Sequence, residues 1–176
     1  NIIAPVHLTR DTTTLILTDY FIEPSKVDSL VFSEAYKGHW NKKDNTIQII
    51  TNGKTPPLTE LKIWSEGKNT SVLLHKFNGT NPATDITKAP RLATLQANKN
   101  AFTFSADNGV TDIFVYWQNA RLKVKFTHAA NQTIQVEIPE EARHKTRSFI
   151  RVFACNQTGA ANDLLIRLQS GEVVTD

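Results

Sequence analysis

Apolar and polar side chains alternate in short runs along almost the whole chain. The runs fall at residues 14–18, 27–32, 46–50, 60–64 and 71–74, and again at 101–105, 112–118, 121–127, 132–138, 148–155 and 163–168. They are rich in Ile, Val, Leu, Thr and aromatics and are bounded by Pro, Gly, Asn or Asp. That pattern predicts strands with one buried face rather than helices. Gly53-Lys54-Thr55-Pro56-Pro57 predicts a rigid turn, because consecutive prolines fit neither a helix interior nor a central strand. Asn119-Ala120, between two runs, predicts a tight hairpin.

Between the two series of runs the rhythm stops. Residues 78–85 contain several turn formers and no apolar period, which marks a domain boundary. About seven strands in the roughly 88 residues that follow fit an immunoglobulin-like sandwich. The expected fold is therefore all-β: two consecutive immunoglobulin-like β-sandwich domains, 1–78 and 91–176, joined by a linker at 79–90. Residues 140–147 are the one helix candidate, with Pro139 suited to a first turn. Beyond Ala142 they offer no apolar partner, so they read as a polar corner loop.

Individual runs predict which side chains are buried. In residues 121–126, Leu122, Val124 and Phe126 share one face of a strand, and Arg121, Lys123 and Lys125 share the other. Three cations at this spacing are what a half-exposed strand shows, so the stripe reads as a solvated face rather than an anion site. Trp117 ends Ile113-Phe114-Val115-Tyr116-Trp117, apolar on both faces. It is placed like the core tryptophan on strand C of an immunoglobulin-like domain.

Composition narrows the function classes. The 176 residues are 40% hydrophobic and 21% charged, with seven glycines and seven prolines, which excludes collagen-like and low-complexity chains. Twenty basic against seventeen acidic residues leave a net charge of +3, too weak for a phosphate-tracking surface, so no nucleic-acid partner is expected. No run approaches the roughly 18 apolar residues of a membrane-spanning helix. The chain contains no methionine and ends in the polar stretch 170–176, so it reads as a processed or excised piece with a connector at its end.

Chemistry-bearing patterns are absent. There is no Gly-x-Ser-x-Gly elbow and no Gly-x-x-x-x-Gly-Lys phosphate loop. His7, His39, His75, His128 and His144 show no helical i, i+4 pairing, and no Cys-x-x-Cys completes a zinc pattern, so neither metal nor cofactor is expected. The lone Cys155 lies in an apolar run, where burial leaves a thiol inert. Glu140-Glu141 is the one adjacent carboxylate pair, and sequence neighbours do not face each other across a substrate. No catalytic residue is assigned. Four Asn-x-Ser/Thr triplets, at Asn69, Asn78, Asn131 and Asn156, would matter only in a eukaryotic secretory host.

Aromatic side chains are the remaining candidates, because sugar rings stack their C–H faces on flat platforms. Trp40, in the polar stretch with Tyr36, is expected to be exposed. Alternation sets Trp64 with Lys62 and against Leu61 and Ile63, on an outer face or a domain contact. Tyr36, Trp40 and Trp64 are thus the candidate carbohydrate-binding residues.

Three segments together carry a family resemblance. They are Leu17-Thr18-Asp19-Tyr20-Phe21 with Pro24-Ser25-Lys26-Val27-Asp28-Ser29, then Phe114-Val115-Tyr116-Trp117-Gln118-Asn119, and most specifically the run 147–156 continuing through Gly159 to 162–168. The sequence resembles the N-terminal β-sandwich region that precedes the catalytic barrel in α-amylase-family enzymes (glycoside hydrolase family 13) of Bacteroidetes. The resemblance is tight over the last thirty or so residues and loose over the first eighty. It implies a non-catalytic accessory region of a secreted α-glucan-degrading hydrolase, periplasmic or at the cell surface. Its partner would be the downstream catalytic domain of the same polypeptide, which would hold the family's nucleophile and acid/base residues. Two other readings remain at this point: an independent starch- or glucan-binding module, and a surface spacer. Coplanar exposed aromatics would favour binding, and an apolar patch without platforms would favour docking.

Overall fold

A computed structural model describes residues 5–8, 10–20, 23–76, 88–97, 101–106, 109–118, 120–127, 132–170 and 172–174. The chain divides into two compact units, at Ile3–Asn78 and Gly79–Asp176. Most of the expected linker, 79–87, lies outside the described residues.

The first unit contains seven strands among the described residues: β1 (Val6–Leu8), β2 (Thr12–Ile16), β3 (Val27–Phe32), β4 (Lys37–Asn41), β5 (Thr46–Ile50), β6 (Leu58–Ser65) and β7 (Lys68–Lys76). They form a four-stranded sheet, β1-β7-β6-β3, and a three-stranded sheet, β2-β5-β4. In immunoglobulin lettering these are A′-G-F-C and B-E-D. All pairings are antiparallel except β1 with β7, which is parallel, with His7 opposite His75. The core follows from period-two alternation. Leu15 on β2, Ile47 and Ile49 on β5, Leu61 and Ile63 on β6, and Val72 and Leu74 on β7 meet in one buried cluster. Burying each such side chain contributes roughly 1.5–3 kcal/mol.

The second unit contains β8 (Leu92–Ala97), β9 (Ala101–Ala106), β10 (Val110–Trp117), β11 (Ala120–Arg121), β12 (Val124–Thr127), β13 (Gln132–Glu137), β14 (Arg147–Asn156), β15 (Ala161–Gln169) and β16 (Glu172–Val173). Its sheets run β12-β13-β9-β8 and β11-β10-β14-β15-β16. The orders read D-E-B-A and C′-C-F-G with one added edge strand, which is the immunoglobulin topology. Phe102 and Phe104 from β9 and Ile134 and Val136 from β13 face Ile113, Val115 and Trp117 from β10. Ile150, Val152 and Ala154 from β14 complete the same cluster. The fold is all-β, in two immunoglobulin-like sandwiches.

Local departures from the expected pattern have physical causes. Residues 121–127 do not form one strand: the chain leaves β11 in one sheet, passes Leu122 and Lys123, and joins the other sheet as β12. Leu122 and Val124 both still pack on the core, which is why the apolar alternation persists through the switch. The hairpin expected at Asn119-Ala120 pairs Trp117 with Ala120, with Gln118 at φ 54°; Asn119 itself lies outside the described residues. The sequence of residues 140–147 predicts a polar corner loop. Instead a single helical turn, α1 (Glu140–Arg143), follows Pro139 as its N-cap. Ala142 anchors the turn in the core, and Arg143 Nε and Nη2 donate to Ile138 O at 3.1 and 2.9 Å.

Asparagine side chains fasten the start of the second unit to its far end. Asn156 Nδ2 donates to Lys88 O at 2.6 Å, and Asn162 Nδ2 donates to Pro90 O at 3.1 Å. Asn156 is buried, so its Asn-x-Thr triplet is structural in this fold.

Candidate functional site

The three aromatic candidates occupy three different environments. Tyr36 precedes β4 and is a core residue, 6% exposed. Its hydroxyl donates to Glu60 O at 3.1 Å, and its ring meets Phe32 edge-on. Burial pushes its phenol up to about 12, a backbone contact at Ser33 pulls the other way, and the Glu60 carboxylate adds to the rise. The expectation that Tyr36 stands in an exposed stretch is overturned.

The same holds for Trp40. On β4, Gly38 and Trp40 point inward opposite Ile49 and Ile47, while Lys37 and His39 point to solvent. Trp40 packs against the core of the first unit, and its Nε1 is buried without a hydrogen-bond partner among the described residues. Lys42 Nζ lies 4.8 Å from the ring centroid. This indole is a wall of the core rather than a free platform.

Trp64 is placed as alternation predicts. It lies half-buried on the outer face of the four-stranded sheet, beside Lys62 and opposite Ser29 and Asn69. Trp40 faces inward from the other sheet, so the three aromatics share no face. Trp117, by contrast, has the core position expected of it: it ends β10 inside the cluster, and its Nε1 donates to Ser148 Oγ.

The outer face of the five-stranded sheet brings together side chains from separate strands. Phe114 and Tyr116 on β10 and Phe153 and Cys155 on β14 point away from the core cluster, yet all are buried. The Arg121 guanidinium lies 3.7 Å from the Phe114 ring centroid, a cation–π stack. The Cys155 thiol is fully buried, with Asp112 Oδ2 3.9 Å from its sulfur. Burial first, then the negative charge of Asp112 and its hydrogen bond, raise the thiol far above its ordinary range. Such a group is a structural thiol, not a nucleophile.

Further along that face, toward β15, burial gives way to exposure. Phe149 is 42% and Leu165 50% exposed. Arg147, Phe149, Arg167, Leu168, Gln169 and Val174 line an open hollow of about 360 Å³. Arg151 Nη2 meets Asp163 Oδ2 at 3.1 Å beside it. Alternation alone marks Phe149 and Leu165 as outward-facing, because Ile150 and Ile166 are their inward neighbours.

One cluster was invisible in the chain order. His7 and His75, 68 positions apart, meet with Nδ1 atoms 3.1 Å apart and rings edge to face. Among the described residues, no group of three or more His, Cys, Asp or Glu side chains is placed to hold a metal ion. No helix among them is long and apolar enough to cross a membrane.

No protein-family model matches the chain, and no curated protein does. Solved structures similar to it include protocadherin gamma B2 extracellular cadherin domains, at 9% identity and a TM-score of 0.34, over 90% of this chain and 32% of that one. A marsupial T cell receptor is similar at 12% identity and a TM-score of 0.31, over 77% of this chain and 69% of that one. Domains from titin match at 11% identity and a TM-score of 0.27, over 94% of this chain and 63% of theirs. The chain thus spans about a third of the protocadherin structure's length. At these scores the likeness adds nothing to the strand orders, and the strand orders define two immunoglobulin-like sandwiches.

Proposed function

We propose that the chain is a non-catalytic accessory region of a secreted α-glucan-degrading hydrolase of the α-amylase type, acting in the periplasm or at the cell surface. Its role is to dock on the catalytic barrel of the same polypeptide and support its substrate cleft. The observation that carries docking over sugar binding is the outer face of the five-stranded sheet. There Phe149 and Val174 line the hollow with Arg147 and Arg167, and Leu165 is exposed on the same face of β15. An apolar strip rimmed by polar and cationic groups fits a protein surface better than a sugar. The aromatics proposed for glucan are dispersed, and two of them serve the core of the first unit. The attachment to an α-amylase barrel rests on the sequence resemblance alone.

The test joins the chain to the catalytic portion of its natural polypeptide. Phe149→Asp and Leu165→Asp together are expected to raise hydrogen exchange along β14 and β15 and to lower the barrel's melting midpoint, with the sandwich itself folded. A barrel whose stability and starch hydrolysis ignore both changes would remove the docking role. Calorimetric titration of the chain with maltoheptaose addresses the other reading. Saturable heat at micromolar to low-millimolar affinity, lost in Trp64→Ala, would make the chain a glucan-binding module instead.

A further inference from the structure

We propose that His7 and His75 form a two-histidine site for a divalent transition-metal ion, zinc or copper(II), which fastens the N-terminal strand β1 onto β7. The site is independent of the docking role proposed above.

Its geometry follows from sheet register. β1 and β7 pair in parallel, and residues directly opposite each other present their side chains on the same face. His7 is directly opposite His75, and the two Nδ1 atoms stand 3.1 Å apart. Imidazole nitrogens bind zinc at about 2.0–2.1 Å. Two such nitrogens on neighbouring positions of one ion are therefore separated by about 2.9 Å in square-planar and about 3.4 Å in tetrahedral geometry. The observed separation lies inside that interval. The same distance suits a hydrogen bond between one protonated and one bare ring nitrogen; an ion at about 2.0–2.1 Å from both would sit off the line joining them, so each ring would turn to aim its lone pair at it.

The surroundings suit an ion held at the protein surface. His75 is 4% exposed, and Leu58 and Leu73, its neighbours on that face, are buried. That side fixes one ligand. His7 is exposed on a strand of only three residues, which leaves a route for the ion, with water to complete its coordination. Binding also has a mechanical consequence. β1 is an edge strand, and an ion bridging residues 7 and 75 closes a loop of 68 positions. An ion that binds this folded pair and not the unfolded chain stabilises the folded unit by mass action.

The experiment titrates the chain with zinc chloride and, separately, with copper(II) chloride in a non-coordinating buffer. The expected result is one equivalent bound at micromolar affinity, a raised melting midpoint, and two imidazole nitrogens in the copper paramagnetic resonance spectrum. His7→Ala carries the main comparison, since an exposed residue on a short edge strand is replaced without opening the core. It should lose at least tenfold in affinity and all of the thermal shift. A variant with His39→Gln, His128→Gln and His144→Gln, which retains only the proposed pair, should bind as the parent does. The proposal is overturned if the parent binds no stoichiometric ion, if His7→Ala binds as tightly as the parent, or if the three-fold variant loses binding.

Discussion

At the scale of single residues, the buried polar groups decide where pH and substitution act. The Tyr36 phenol is raised to about 12 from an ordinary value of 10.0, chiefly by burial. Between those two values the unfolded chain loses the phenolic proton while the folded one keeps it. Tyr36 therefore stabilises the fold fully below pH 10, and that contribution falls as pH rises toward 12. Equilibrium unfolding followed from pH 9 to 12 should show this decline, and Tyr36→Phe should remove that component of it. At neutral pH the same substitution deletes the bond to Glu60 O and should cost about 0.5–1.5 kcal/mol. Cys155 offers a second readout. Its thiol is fully buried and shifted toward the protonated form, so a disulfide reagent such as Ellman's should react only as fast as the second unit opens. Reaction at the rate of a free thiol in the native state would contradict that placement.

At the scale of strands, one glycine accounts for an element that alternation missed. β4 places Gly38 and Trp40 inward, yet a glycine contributes no apolar signal, so the stretch 36–42 reads as polar. The space a Cβ would occupy at Gly38 is filled by the Phe32 ring from β3. Gly38→Ala should therefore displace that ring and destabilise the first unit by about 1–3 kcal/mol, the usual cost of overpacking. Combining it with Phe32→Leu should recover part of the loss, and urea unfolding of the single and double variants measures the coupling. Where alternation is written in full, strands were legible to the residue, as in β3 and β5. It fails where a position is filled from elsewhere, as at Gly38, or where the chain changes sheets, as between β11 and β12. The His7–His75 contact was illegible for a related reason. It depends on a parallel register between the first and last strands of a unit, which no local pattern encodes.

At the scale of the whole molecule, each unit has its own apolar cluster, so each should show its own response to a core cavity. Trp117 is the sharpest probe in the second unit, because it closes the cluster and holds the Ser148 hydroxyl through its indole N–H. Trp117→Ala removes the ring and leaves that buried hydroxyl without its donor, which should cost about 3–5 kcal/mol. The loss should appear in the calorimetric transition of Gly79–Asp176, with the transition sensitive to Tyr36→Phe keeping its midpoint. Equal displacement of both would show that the two sandwiches unfold as one cooperative body. An unchanged midpoint would show that Trp117 is not a core residue. The same pair of transitions sorts the proposed ligands. Zinc held by His7 and His75 should raise the transition of the first unit, whereas a domain docked over Phe149 and Leu165 should raise that of the second. A single calorimetric comparison can thus separate what each sandwich is for.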